Sequence, residues 1–140
     1  MVTGLAVNAL RTQGELPLGW RPGAPSPVGG VTEITGLEAL EALMAQPGST
    51  ILDARDPDLY RLGRIPGALS LPTAELDQLL GPFLAQANPL NPVIAYCSES
   101  LCPLAGRLAT ALAEGGHKNV YLYSPGFDRW AELGRPIEKD

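Results

Sequence analysis

The sequence predicts an α/β fold in which a mainly parallel sheet is sandwiched between layers of helix. Two observations predict it. Short apolar runs of strand length alternate along the chain with stretches whose apolar residues recur at helical spacing. One of those runs, Val93-Ile94-Ala95-Tyr96, is apolar at every position, as expected of a strand covered on both faces.

The elements follow in order. Residues 1–28 form an extended lead-in, because Gly14, Pro17, Gly19, Pro22, Gly23, Pro25 and Pro27 leave no room for a continuous helix. The domain proper is assigned to residues 29–140. Val31-Thr32-Glu33-Ile34 alternates as a strand does. Leu37, Leu40, Leu43 and Met44 then share a helix face, and Pro47-Gly48 stops that helix. Ile51–Ala54 is a second strand, followed by a short helix from Asp56 to Leu62. Ile65–Ala68 turns into a third strand, Leu69-Ser70-Leu71. Thr73 is placed to cap a helix carrying Leu76, Leu79, Leu80, Phe83 and Leu84, which Gly81-Pro82 should kink or divide. After the buried strand comes the segment Cys97–Cys102, then a helix with Pro103 at its first position and Leu104, Leu108 and Leu112 on one face. Gly115-Gly116 closes it. Val120–Tyr123 is the last strand. A final helix presents Phe127, Trp130 and Leu133 and ends at Gly134.

Composition narrows the classes of function. At 140 residues with 45% apolar content, the chain has the size and material for one folded domain. No apolar run approaches the roughly 20 residues that cross a bilayer, and the N-terminus lacks the pattern of a signal peptide, so a cytoplasmic protein without a membrane partner is expected. The net charge of −5 and the scatter of the arginines argue against nucleic acid. The two cysteines, Cys97 and Cys102, lie five positions apart, which marks a local site instead of a disulfide scaffold. Two cysteines with no further Cys or His nearby supply half of a tetrahedral zinc site, so neither metal nor other cofactor is expected.

Cys97 ends a buried strand, and in parallel α/β sheets ligands bind beyond the carboxyl ends of strands. Backbone N–H groups of Ser98, Glu99, Ser100, Leu101 and Cys102, with those of the following helix start, can converge on the Cys97 sulfur. Such partial positive charge favours thiolate over thiol and would steady the outer sulfur of a persulfide. The thiolate is itself the reactive species, so no general base is required, which suits a chain whose one histidine is His117. The plainer reading of a strand-end cysteine is packing. Cys102 also has two readings, a thiol that resolves a Cys97 persulfide or disulfide and a small apolar filler.

Two stretches resemble the rhodanese family. The first is Ile51-Leu52-Asp53-Ala54-Arg55 with Gly63-Arg64-Ile65-Pro66-Gly67-Ala68. The second runs from Val93–Cys97 through Ala105, Leu108, Ala109 and Leu112, then Gly116–Val120, to Gly126, Trp130, Gly134 and Pro136. Order and spacing agree over residues 31–138. The resemblance implies a three-layer α/β/α fold with a five-stranded sheet, and it implies that Cys97 is the persulfide-forming cysteine with Ser98–Cys102 as its anion cradle. It implies a sulfurtransferase, taking sulfane sulfur from thiosulfate or a persulfide (small or protein-borne) and passing it to cyanide or a thiol. The loop has the sulfurtransferase length; related phosphatases use one residue more and end it in an oxyanion-gripping arginine, where this chain has Pro103.

The chain also departs from the family's pattern. Arg64 replaces a histidine, Pro125 stands where a glycine is common, and Glu99 puts a carboxylate in the loop. That charge should disfavour an anionic donor such as thiosulfate by roughly 1 kcal/mol or more. Asp53 and Arg55 are expected to pair behind the loop and fix its geometry. Arg64 is expected as a solvated surface residue, with a supporting place at the substrate entrance as the alternative. Two other functions stay open: a catalytically silent protein-binding module, and a thiol redox sensor built on Cys97 and Cys102.

Overall fold

A computed structural model of the chain describes residues 30–140. The expected lead-in, residues 1–28, lies outside them. Five strands, β1 (Val31–Ile34), β2 (Thr50–Asp53), β3 (Leu69–Ser70), β4 (Val93–Tyr96) and β5 (Val120–Tyr123), form one sheet in the order β1-β5-β4-β2-β3. Every pairing is parallel. The helices are α1 (Leu37–Met44), α2 (Pro57–Leu62), α3 (Leu76–Gln86), α4 (Leu104–Glu114) and α5 (Gly126–Glu132), with a single 3₁₀ turn at Thr73–Glu75. The α/β class expected from sequence is the class observed.

Strand alternation splits the core in two. Val93, Ala95 and Cys97 face α3 and α4, packing with Ala105, Leu108, Ala109 and Leu112. Ile94 and Tyr96 face α1 and α5 on the other side, packing with Leu40, Leu43, Ile65, Tyr123 and Trp130. Burial on both faces is why β4 reads as an unbroken apolar run. The register then aligns Ile34, Tyr123, Tyr96, Asp53 and Ser70 as one row across the carboxyl end of the sheet. Cys97 follows Tyr96 along the chain, just beyond that row.

Several local expectations are corrected. Thr73 does not cap α3 through its side chain: its hydroxyl donates to the Leu104 carbonyl (2.8 Å), tying the 3₁₀ turn to the start of α4. Pro82 lies inside an undivided α3, tolerated where the half-buried apolar face packs against the core. Pro103 immediately precedes α4 instead of opening it. Arg64 is not solvated. It is buried, stacked on the Tyr60 ring at 4.2 Å, and paired with Glu138 (3.1 Å) and Asp140 (2.9 Å), so it holds down the C-terminal segment. His117 is buried at the opposite, amino end of the sheet, its Nε2 2.7 Å from the Asn91 carbonyl oxygen.

Candidate active site

The site grows from the carboxyl end of β4. Cys97 is 3% exposed, and its side chain stands on the α4 side of the sheet. The chain then turns over Ser98–Leu101 and enters α4. Cys97 and Cys102 are joined by a disulfide across this turn, with their Cα atoms 6.2 Å apart, inside the ordinary range for such a bond. Leu101, at the crest, is 87% exposed. The carbonyl of Glu99 accepts from the Cys102 N–H (3.1 Å), and the Glu99 carboxylate accepts from the Leu101 N–H. Two of the loop's five amides are therefore turned to Glu99. Those of Ser98, Glu99 and Ser100 donate to no acceptor among the described residues.

The first turn of α5 anchors this loop from outside. Phe127 N–H donates to the Cys97 carbonyl and Asp128 N–H to the Ser98 carbonyl, each at 2.8 Å. Gly126 makes that approach possible. Its φ is +76°, and a Cβ there would lie 2.7 Å from the Cys97 oxygen and from the Ser98 carbonyl. The sequence pattern includes Gly126 but does not reveal why a side chain is forbidden there.

Beneath the loop, Asp53 and Arg55 pair as expected. Arg55 Nη2 is 2.7 Å from Asp53 Oδ2, both side chains are buried, and Nη2 also donates to the Gly63 carbonyl (2.6 Å). Sequence reading missed the third member, having taken Tyr96 as simple packing. The Tyr96 hydroxyl donates to Asp53 Oδ2 (2.8 Å) and accepts from the Ile65 N–H (3.1 Å). Burial, then the adjacent Asp53 carboxylate, push the phenol's pKa far above its ordinary value, so Tyr96 stays a donor. Burial alone would lower the Arg55 pKa, but its bonds and attraction to Asp53 outweigh that and the net direction is up. Phe127 covers the Arg55 guanidinium at 4.5 Å. One network thus joins β2, the end of β4 and α5 around the root of the cysteine loop.

A cleft of about 70 Å³ lies against the disulfide, lined by Cys97, Glu99, Ser100, Cys102, Ala105 and Ser124 among others. Beside it runs an open groove of about 600 Å³ that shares Glu99, Ser100 and Ser124 and adds Glu33, Asp128, Arg129 and Glu132. Four carboxylates face one guanidinium there, and Arg129 is already bonded to Glu132 at 3.3 Å. Arg64, with its partners at Tyr60 and the C-terminal segment, takes no part in this groove. Among the described residues no group of three or more His, Cys, Asp or Glu is placed to hold a metal. No helix among the described residues is long and apolar enough to cross a membrane.

The family profile described as Rhodanese-like domain matches residues 37–133. The chain belongs to that family. This rhodanese-like domain is 32% identical over 107 residues to a thiosulfate sulfurtransferase, GlpE, of Actinobacillus succinogenes, covering 76% of the chain and 90% of the relative. It is 29% identical over 90 residues to the HTH-type transcriptional regulator Rv0324 of Mycobacterium tuberculosis, a match to 64% of the chain and 38% of that protein. Among solved structures, the polysulfide-sulfur transferase homodimer of Wolinella succinogenes superposes with a TM-score of 0.62 at 25% identity, covering 79% of this chain and 80% of that one. The five-stranded fold implied by the resemblance is thus the fold of the family and of its structural neighbours.

Proposed function

We propose that this rhodanese-like domain is a sulfurtransferase that carries sulfane sulfur on Cys97 once the disulfide is reduced. The observation that carries the reading is the placing of Cys97. It follows the central strand directly, lines a small cleft, and begins a loop whose Ser98, Glu99 and Ser100 amides donate to no acceptor among the described residues. Unpaired N–H groups beside a sulfur stabilise its anion and lower its pKa. The reduced thiolate attacks the outer sulfur of thiosulfate and expels sulfite, or takes sulfur from a persulfide and expels a thiolate. Cyanide or an acceptor thiol then removes the bound sulfur. The sulfurtransferase names of its relatives agree with this chemistry.

Reduced protein given thiosulfate and cyanide should form thiocyanate, and Cys97→Ser should abolish it. Reduced Cys102→Ser should also gain the mass of one sulfur on Cys97. If no donor of either class adds sulfur to that variant, the proposal fails. Protein assayed without prior reduction should show almost no turnover, since the sulfur that must attack is bonded to Cys102. Dithiothreitol pretreatment should restore it, which single-time-point thiocyanate assays will read.

The acidic groove favours a donor that is not a small anion. A protein-borne persulfide presenting basic side chains fits four carboxylates better than thiosulfate does. Glu99→Gln removes the nearest charge and keeps an oxygen to accept from Leu101. It should raise kcat/KM for thiosulfate about fivefold, corresponding to roughly 1 kcal/mol. Raising salt should produce part of the same gain in the unmodified protein by screening. Steady-state kinetics on both proteins at low and high salt check it; an unchanged or lower value for Glu99→Gln removes the argument.

A further inference from the structure

We propose that Cys102 resolves the Cys97 persulfide from within, so that the chain also reduces sulfane sulfur and releases it as hydrosulfide. The inference rests on the persulfide reading above and adds a second fate for the bound sulfur. Three observations carry it. The two cysteines are the only ones in the chain, and both are in the bond, so no other internal thiol competes. The closed bond is compatible with the loop's anchoring: alongside it the Cys97 carbonyl accepts from Phe127 N–H, the Ser98 carbonyl from Asp128 N–H, and the Glu99 carbonyl from Cys102 N–H. Finally, the cleft at the sulfurs is small, about 70 Å³, and both cysteines line it. A bulky acceptor thiol has to reach Cys97 through that space, whereas Cys102 already stands in it.

The chemistry balances without an added oxidant. A persulfide Cys97–S–SH has one sulfur more than the structure shows, and its inner sulfur is the same atom that Cys102 touches here. The Cys102 thiolate attacks that inner sulfur. The bond between the Cys97 and Cys102 sulfurs forms, the Cys97 sulfur–sulfur bond breaks, and the outer sulfur leaves as HS⁻ with the persulfide proton. The sulfane sulfur is reduced to sulfide, the two cysteines are oxidised to the disulfide, and the oxidising equivalent comes from the donor. An external dithiol then returns the pair to thiols. The structure is the product of this step. An intramolecular thiol has an effective concentration that few diffusing acceptors match. The fate of the sulfur is therefore a competition between Cys102 and an acceptor docked at the groove.

Reduced wild-type protein and Cys102→Ser are each treated with glutathione persulfide, desalted away from all small thiols, and followed by intact mass and a sulfide-trapping reagent. Cys102→Ala is run in parallel, with near-ultraviolet circular dichroism confirming the fold of both variants. Both variants should hold one added sulfur and release no sulfide until a thiol is supplied. The wild type should release about one sulfide per chain and finish lighter than the reduced protein by two hydrogens. If the variants gain sulfur and the wild type retains it equally well, the resolving role is overturned while the persulfide reading stands. If neither variant gains sulfur and the wild type stays a dithiol, the persulfide reading itself is overturned, and resolution falls with it.

Discussion

Replacing Asp53 by alanine is expected to destabilise the domain by about 3–5 kcal/mol, the range for a buried ion pair that loses one partner. The Arg55 guanidinium would stay buried against Tyr96 and Phe127 with its counter-charge gone. The Tyr96 hydroxyl would lose the oxygen it donates to. Asp53 sits in the interior of a register row, between β3 and β4, so water cannot simply take the carboxylate's place. The double replacement Asp53→Ala with Arg55→Met should cost clearly less than the two single losses added, because it removes the stranded charge as well. Urea unfolding, compared at unchanged m-value, measures both numbers. A single-variant loss below about 1 kcal/mol, within the range of exposed pairs, would mean that the network is ornamental.

Asp53 also shows how far the sequence could be read. The pairing with Arg55 is two residues apart and local, so a motif exposes it. Tyr96 joins only through the alignment of β2 with β4, a contact across 43 residues that no local pattern encodes. The same holds for Arg64. As one arginine in a loop it looked solvated, yet the C-terminal segment folds back to give it Glu138 and Asp140. Element positions were legible because periodicity is a local property, and β4 was plain because both of its faces are covered. Thr73 was misread since its hydroxyl has a better acceptor in Leu104, supplied by a helix 31 residues on. The cysteine loop was legible as a site but not as a closed bond, and Glu99's hold on the Leu101 amide was not visible at all.

Gly126 leads to the second large effect. Gly126→Ala should lower kcat/KM of the reduced protein by about a hundredfold, the penalty that a displacement of order 1 Å at reacting atoms commonly carries. At φ +76° a side chain already costs about 1–3 kcal/mol in backbone strain. The added methyl would also stand 2.7 Å from two backbone atoms of Ser98 and from the Cys97 oxygen, so either the loop or α5 must move. Moving either one breaks the bonds from Phe127 and Asp128 that fix the Cys97 and Ser98 carbonyls. Gly134, at the other end of α5, separates strain from displacement. Its φ is +73°, but a Cβ there meets nothing within 4 Å. Gly134→Ala should therefore lose a similar increment of stability while transfer by the folded protein stays within about twofold of wild type. Thiocyanate kinetics below both unfolding transitions make the comparison. Equal activity in the two variants would show that α5 does not position the cysteine, since only Gly126 has the loop backbone in its path.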